Sequence, residues 1–499
     1  MPADAPTAAP PTLESIEAHL KELSVESSQA EWVYATYITP DTEALAARAF
    51  ARMLNEAARY SRQLGPAPAV GASAEVARKT KLLKLLLPVC SPNEPKDAEV
   101  LARTIGDLQG TFAKGRFRPA RATLALDVEG LSKILATSRD PGEMAEVWTG
   151  WHAIARPMRP GFTRYVDLAN RGARDNGFDD LGAMWRAKYD LSPEEFAREV
   201  QRLWEQVEPL YRRLHAYTRR RLSALYGPEV VPPDGPLPGH LLGNMWAQSW
   251  EHLFPILAPP DADPGFDLTA ILRAKGVDET GLVRMAERFF VSLGLDPLPS
   301  SFWERSMFRR PADRDVVCHA SAWDLDGQED LRIKMCIDVT AEEFHVIHHE
   351  LGHNYYQRAY RHQPFLFQDG AHDGFHEAVG DTISLSITPG YLKTIGLLPE
   401  VPDPSKDLGL LMQRALEKVV FLPFGLLIDR WRWKVFDGEI GPDRYNESWW
   451  RLRAEYQGIR PPVERTEADF DPGAKYHVPA NVPYMRYFLA HILQFQFHR

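Results

Sequence analysis

The sequence predicts a mainly α-helical protein, and three observations predict it. Apolar residues recur at three- and four-residue spacing over 13–23, 41–63, 98–112, 128–138, 194–225 and 281–293, the period of one face of a helix. Proline and glycine cluster at 232–239, 259–265 and 402–404, which read as surface loops too short to be flexible interdomain linkers. One segment reads as strand, turn, strand, with 316–323 followed by 331–339. No internal repeat interrupts this pattern.

Composition narrows the class. At 499 residues, 44% hydrophobic and 25% charged, the chain is ordinary globular protein rather than disordered or fibrous. A net charge of −10 gives no electrostatic footprint for nucleic acid or an anionic membrane and favours a neutral or cationic partner. No run of apolar residues is long enough to span a bilayer.

Taken in order, residues 1–12 are Ala/Pro-rich, read as a disordered tail, and lack the basic and apolar regions of a signal peptide. Arg219, Arg220 and Arg221 fall late in the 194–225 helix, where cations complement the helix dipole and face water. Thr340, Glu342 and Glu343 read as the cap and first-turn acids of a helix over 341–360. Cysteines number three, Cys90, Cys318 and Cys336, too few for a disulfide scaffold. Cys318 and Cys336 flank the strand–turn–strand segment, where a local bridge and a pair of buried thiols fit the sequence equally well.

The 341–360 helix carries the chemistry. His349, Glu350, Leu351, Gly352 and His353 form H-E-x-x-H, which places two imidazoles one helical turn apart on one face, as a zinc ion requires. Glu350 falls beside the metal, where a carboxylate takes a proton from a polarised water. A third ligand is needed. The downstream GFHEAVGD segment offers Glu377, with Asp381 one turn further on to orient a ligand histidine, but spacing alone leaves His372 and His376 as rivals.

The HHELGH helix, GFHEAVGD, VVCHASAWD, LLGNMWAQSW and YHVPANVPYMRYFLAHILQFQFH together resemble the angiotensin-converting enzyme family of zinc dipeptidyl carboxypeptidases, from the first helices to the last residue. The resemblance implies a single catalytic domain over 13–499, two subdomains around a deep central cleft, N-terminal lid helices over about 13–85 and the zinc site within 340–385. It implies His349, His353 and Glu377 as zinc ligands, Glu350 as general base and Asp381 as the partner of a ligand histidine. Tyr487 matches the donor to the oxyanion and His477 a contact to the transition state. His319, Ala320 and Ala322 match positions along the substrate backbone. Gln248, Lys475 and Tyr484 match the grip on the substrate's C-terminal carboxylate, which places the second peptide bond at the metal. Without the resemblance, Lys475 reads as an exposed charge and Tyr484 as core.

The same resemblance implies a chloride at Tyr189 and Arg486. At a second anion site Trp449 and Arg453 match, but His152 stands where the family has arginine, so one chloride is expected. Cys318 and Cys336 fall on a family disulfide, which favours an oxidising compartment. The absence of a signal peptide points the other way, toward the cytoplasm, and a mature or trimmed exported enzyme of bacterial type would reconcile the two. Relatives continue in further helices beyond QFQFH, so a C-terminally truncated member is expected. The expected substrates are oligopeptides with a free C-terminus. Two other readings use the same residues: another gluzincin oligopeptidase, cutting internally or one residue from the end, and a non-catalytic peptide-binding protein.

Overall fold

The structure, a computed structural model, describes residues 11–64, 71–259, 262 and 265–499. Residues 1–10 of the expected tail, and 260, 261, 263 and 264 of the 259–265 loop, lie outside the described residues. The fold is mainly helical, as expected. Its longer helices are α1 Leu13–Thr36, α2 Pro40–Gln63, α3 Ala74–Lys84, α4 Pro95–Ala113, α5 Val128–Thr137, α6 Pro141–Ala153, α7 Arg159–Asp175, α8 Pro193–Tyr226, α9 Glu279–Ser292, α10 Ala341–Tyr360, α11 Asp373–Leu385, α12 Val420–Phe436, α13 Tyr445–Leu452 and α14 Met485–His498. Four short strands accompany them, β1 Leu237–Pro238, β2 Ser321–Asp324, β3 Leu331–Lys334 and β4 Ile459–Arg460.

The six periodic segments fall on α1, α2, α4, α5, α8 and α9, although α1 runs on to Thr36, well past the expected end at 23. Their ends are set by capping chemistry that satisfies backbone N–H groups with no intrahelical partner. Thr39 and Thr42 form a capping box before α2, and Ser192 and Glu195 form another before α8, each with proline at the first helical position. Sequence periodicity misses α12, because fifteen of its residues, from Val420 to Phe436, are buried and a helix apolar all round has no hydrophobic stripe.

The chain forms two compact units. The first comprises Met1–Leu87, Asp267–Pro399 and Gln494–Arg499. In it Ile16, Leu20, Ala57, Tyr60 and Leu83 of α1, α2 and α3 share a core with Leu366. Nearly buried Glu17 ties the same elements together, taking the Lys79 ammonium at 2.7 Å and the Leu366 N–H at 3.2 Å. Strands β2 and β3 pair antiparallel, with Ser321 opposite Lys334.

The strands are shorter than the sequence predicts, for a physical reason. The carbonyls of Val317 and His319 are taken by the buried Lys334 ammonium, each at 2.7 Å, and Cys318 is bridged to Cys336. The backbone also turns elsewhere: the Val317 N–H goes to the Ala35 carbonyl at 2.8 Å and those of Met335 and Ile337 to Met307 at 2.9 Å and Phe308 at 3.1 Å, leaving Cys336 N–H to Cys318 at 3.3 Å as a remnant of the ladder. The disulfide also decides between the two readings of the cysteines.

The second unit comprises Pro88–Phe266 and Glu400–Leu493. Its centre is aromatic: Phe162 lies 5.7 Å from both Trp431 and Tyr445 and 5.1 Å from Phe470, ring centre to ring centre. The 232–239 segment departs from a purely exposed loop. Its end is buried as β1, which pairs in parallel with β4. The arginine run is partly tied down, since Arg221 donates to the Ile256 carbonyl at 2.6 Å. No helix among the described residues is long and apolar enough to cross a membrane.

Candidate active site

Thr340 caps α10 by accepting from the Glu343 N–H at 3.2 Å, so the H-E-x-x-H motif sits inside a regular helix, as read from the sequence. His349 and His353 project from one face, and their Nε2 atoms converge to 3.0 Å. From α11, a Glu377 carboxylate oxygen lies 3.7 Å from His349 Nε2. Ligand atoms of these three residues all lie within 4.8 Å of one another, a geometry able to hold a metal ion. Behind them, Asp381 Oδ1 accepts from His349 Nδ1 at 3.2 Å.

Two glycines that the sequence reading passed over allow this convergence. A Cβ on Gly352 would sit 2.8 Å from Gly380 Cα, and a Cβ on Gly380 would sit 2.9 Å from the His349 ring and carbonyl. Helices α10 and α11 therefore cross backbone to backbone, which carries Glu377 and Asp381 to His349. Their signal was present in the sequence, since glycine inside a helical pattern usually has a packing reason. Gly380→Ala is expected to cost about 1–3 kcal/mol through overpacking and to weaken metal binding, because His349 must move. Thermal unfolding and chelator competition check both effects.

The rivals Glu377 had on spacing fall elsewhere. His372 caps α11, its Nδ1 accepting from the Gly374 N–H at 3.2 Å, and His376 lies behind His353 rather than among the converging atoms. Burial and the neighbouring His349 push His353 down to about 2, so it is neutral, as a metal ligand must be. Glu350 is buried, and desolvation raises its carboxyl above the ordinary range, opposed by His349 and the Ala322 N–H. His319 is exposed, with Nδ1 donating to the Ala320 carbonyl at 2.9 Å, and Ala322 lies in β2 beside Glu350.

The second unit gathers the remaining candidates. Lys475 Nζ donates to Gln248 Oε1 at 2.8 Å and lies 4.1 Å from the centre of the Trp246 ring and 5.6 Å from that of Tyr484. Lys475 is buried, not exposed as composition suggests, and Tyr484 is buried as expected. His477 packs edge-on against Tyr484 at 4.7 Å and Tyr487 at 5.6 Å. Burial, with the positive charges of Lys475, Arg432 and Arg486, pushes it down to about 2, leaving a neutral imidazole.

An unforeseen ion pair holds this segment. Asp429 and Arg432, both about 1% exposed, pair within α12. Asp429 Oδ2 accepts from the Tyr484 and Met485 N–H groups, each at 2.7 Å, and so caps α14. Arg432 donates to the carbonyls of His477 at 2.9 Å and Val482 at 2.7 Å. One buried pair thus fixes the turn carrying His477, Tyr484 and Tyr487. The only sequence trace was an acid and a base three residues apart inside an apolar run.

The anion candidates divide. Tyr189 stacks on Phe196 at 4.1 Å, while Arg486 lies close enough to His477 to act on its charge. Arg453 is buried, which pushes its guanidinium down to about 9 despite Asp471 nearby. Its Nε and one terminal nitrogen, Trp449 Nε1 and His152 Nε2 have no hydrogen-bond partner among the described residues. His152 donates from Nδ1 to the Trp148 carbonyl at 2.9 Å.

Comparison with known proteins identifies the family. The family model described as angiotensin-converting enzyme matches residues 4–499. Relatives bearing that name include the protein of Theromyzon tessulatum, 48% identical over 371 residues, covering 74% of this chain and 60% of the relative. That of Haematobia irritans exigua is 40% identical over 498 residues, covering 98% and 80%. That of Bos taurus is 40% identical over 479 residues, covering 95% of this chain and 36% of the relative. The chain thus spans about a third of the length of the mammalian relatives it matches. With the family model matching nearly end to end and relatives of that name 40–48% identical over most of this chain, this chain belongs to the angiotensin-converting enzyme family.

Proposed function

We propose that this chain is a zinc-dependent dipeptidyl carboxypeptidase that releases C-terminal dipeptides from oligopeptides. The observation that carries the reading is the convergence of His349 Nε2, His353 Nε2 and the Glu377 carboxylate beside buried Glu350, in a member of this family. The donor set suits zinc: two imidazoles and a carboxylate are ligands that zinc takes in hydrolytic sites, His349, His353 and Glu377 would hold it, and Asp381 would fix the His349 tautomer. When bound, zinc supplies Lewis acidity and makes water acidic enough to attack at neutral pH.

The protein's own groups do the rest. Glu350, desolvated and therefore a stronger base than a surface carboxylate, takes the proton of the attacking water and returns it to the leaving amine. Tyr487 donates to the oxygen on which charge develops, and neutral His477 adds a second contact. The backbone of Ala320 and Ala322, with His319, aligns the peptide. Lys475, Gln248 and Tyr484 hold its terminal carboxylate and so select the bond that is cut. We also assign chloride to Tyr189 and Arg486, which adjoins Tyr487. The test is hydrolysis of one peptide as free acid and as C-terminal amide: the amide is expected to lose most activity. Equal rates would indicate an endopeptidase.

Lys475 gives this reading a pH dependence. Burial, with Arg453 nearby, pushes its ammonium down to about 7 in the free protein. Below that value the cation is present to meet a carboxylate. Above it the cation is lost, so kcat/KM for free-acid peptides is expected to fall by roughly tenfold per pH unit well above 7. The substrate carboxylate favours the charged form once bound, so the loss appears in KM rather than kcat. Lys475→Met is expected to raise KM and abolish this limb, and pH profiles of the two proteins check it.

A further inference from the structure

The two histidines that face the metal position are backed differently. His349 rests on the carboxylate of Asp381, whereas His353 Nδ1 lies 3.3 Å from Nδ1 of His376, a second imidazole. On its far side, His376 Nε2 lies 3.0 Å from the Tyr360 hydroxyl and 3.9 Å from Asp369 Oδ1. Its ring is held among those of Tyr356 at 4.7 Å, His353 at 5.4 Å and Tyr360 at 5.7 Å.

Hydrogen-bond polarity along this row is determined from the metal end. A neutral imidazole that ligates through Nε2 carries its proton on Nδ1, and the convergence of Nε2 atoms at 3.0 Å shows which nitrogen of His353 faces the metal. His353 Nδ1–H therefore donates, and His376 Nδ1 must be bare to accept. A neutral His376 then carries its proton on Nε2, where the Tyr360 oxygen lies within hydrogen-bond distance at 3.0 Å. Each step leaves one arrangement. We propose that His376, braced by Tyr360, is a positioning residue that fixes His353 as an Nε2 zinc ligand by accepting its Nδ1 proton.

This inference rests on the zinc reading above and adds an asymmetry to it. Ligand histidines usually donate their second N–H to a carboxylate, a carbonyl or water. Here one ligand is polarised by an anion and the other oriented by a neutral ring. His376 neighbours Glu377 on α11 but points behind His353, so one turn of helix supplies both a ligand and the brace of another. The residue that spacing alone ranked as a rival ligand thus acts on a ligand instead.

The experiment is zinc affinity by chelator competition for the full chain, comparing wild type with His376→Leu and His376→Asn, each checked by circular dichroism in the metal-free state. His376→Leu is expected to bind zinc about 10–100-fold more weakly. His376→Asn, whose amide oxygen takes the place of Nδ1 as acceptor, is expected to stay within about threefold of wild type. Should the leucine variant fail to fold, the tautomers of zinc-loaded wild type decide by 15N histidine spectra, with a proton expected on Nε2 of His376 and on Nδ1 of His353. A leucine variant that binds zinc as tightly as wild type, or a proton on His376 Nδ1, overturns the brace while leaving the zinc reading standing. A wild type that takes up no zinc overturns both.

Discussion

Glu350→Gln is expected to lower kcat by about 10³-fold, inside the roughly 10²–10⁴-fold range of general-base removal, with zinc content unchanged. The substitution keeps the side chain's shape and its acceptor oxygen for the Ala322 N–H, so β2 stays in place. It removes the basic site alone. His349 and His353 keep their partners, Asp381 for His349 and His376 for His353. Stopped assays on zinc-loaded protein, with metal content measured on the same sample, check both halves. A glutamine variant within tenfold of wild type would mean that Glu350 is not the base.

Asp429→Ala is expected to have the largest effect on stability. Removing one member of a buried ion pair leaves the other uncompensated, at a cost of about 3–5 kcal/mol. Here Arg432 would keep its carbonyl partners on His477 and Val482 but lose its counter-charge, and the first N–H groups of α14 would lose their cap. The effect should reach function, because Tyr484 and Tyr487 ride on that helix start. A marked fall in apparent Tm and a raised KM for free-acid peptides are expected, with Asp429→Asn intermediate because it keeps an acceptor. An unchanged Tm would show that the cap carries no load.

How much of this was legible in the sequence depended on how local each interaction is. The zinc-type pair was readable because i and i+4 on one helix are neighbours whatever the rest of the chain does. The bounds of α10 were readable from Thr340 and its following acids. The third member of the converging set was not decided by spacing, since His372, His376 and Glu377 all lie within reach of His353 in sequence. What separates them is rotation about α11 at a crossing only two glycines permit. Lys475 misled for the opposite reason: lysine is usually exposed, and nothing nearby in sequence shows that Trp246 and Gln248, more than two hundred residues earlier, enclose it. Asp429 and Arg432 act on a segment some fifty residues away, through backbone groups that carry no sequence signature. The strands at 316–339 were placed but overestimated, because a lysine, a disulfide and backbone bonds to other segments do part of the work of a ladder.

The most direct test of the central reading is the mass of the first product released from a blocked tripeptide with a free carboxylate, using zinc-loaded protein beside Glu350→Gln. Release of the intact C-terminal dipeptide by the wild type, and only slow release by the variant, is the predicted result. Release of a single residue by the wild type, or no cleavage by a protein that has taken up zinc, would contradict it.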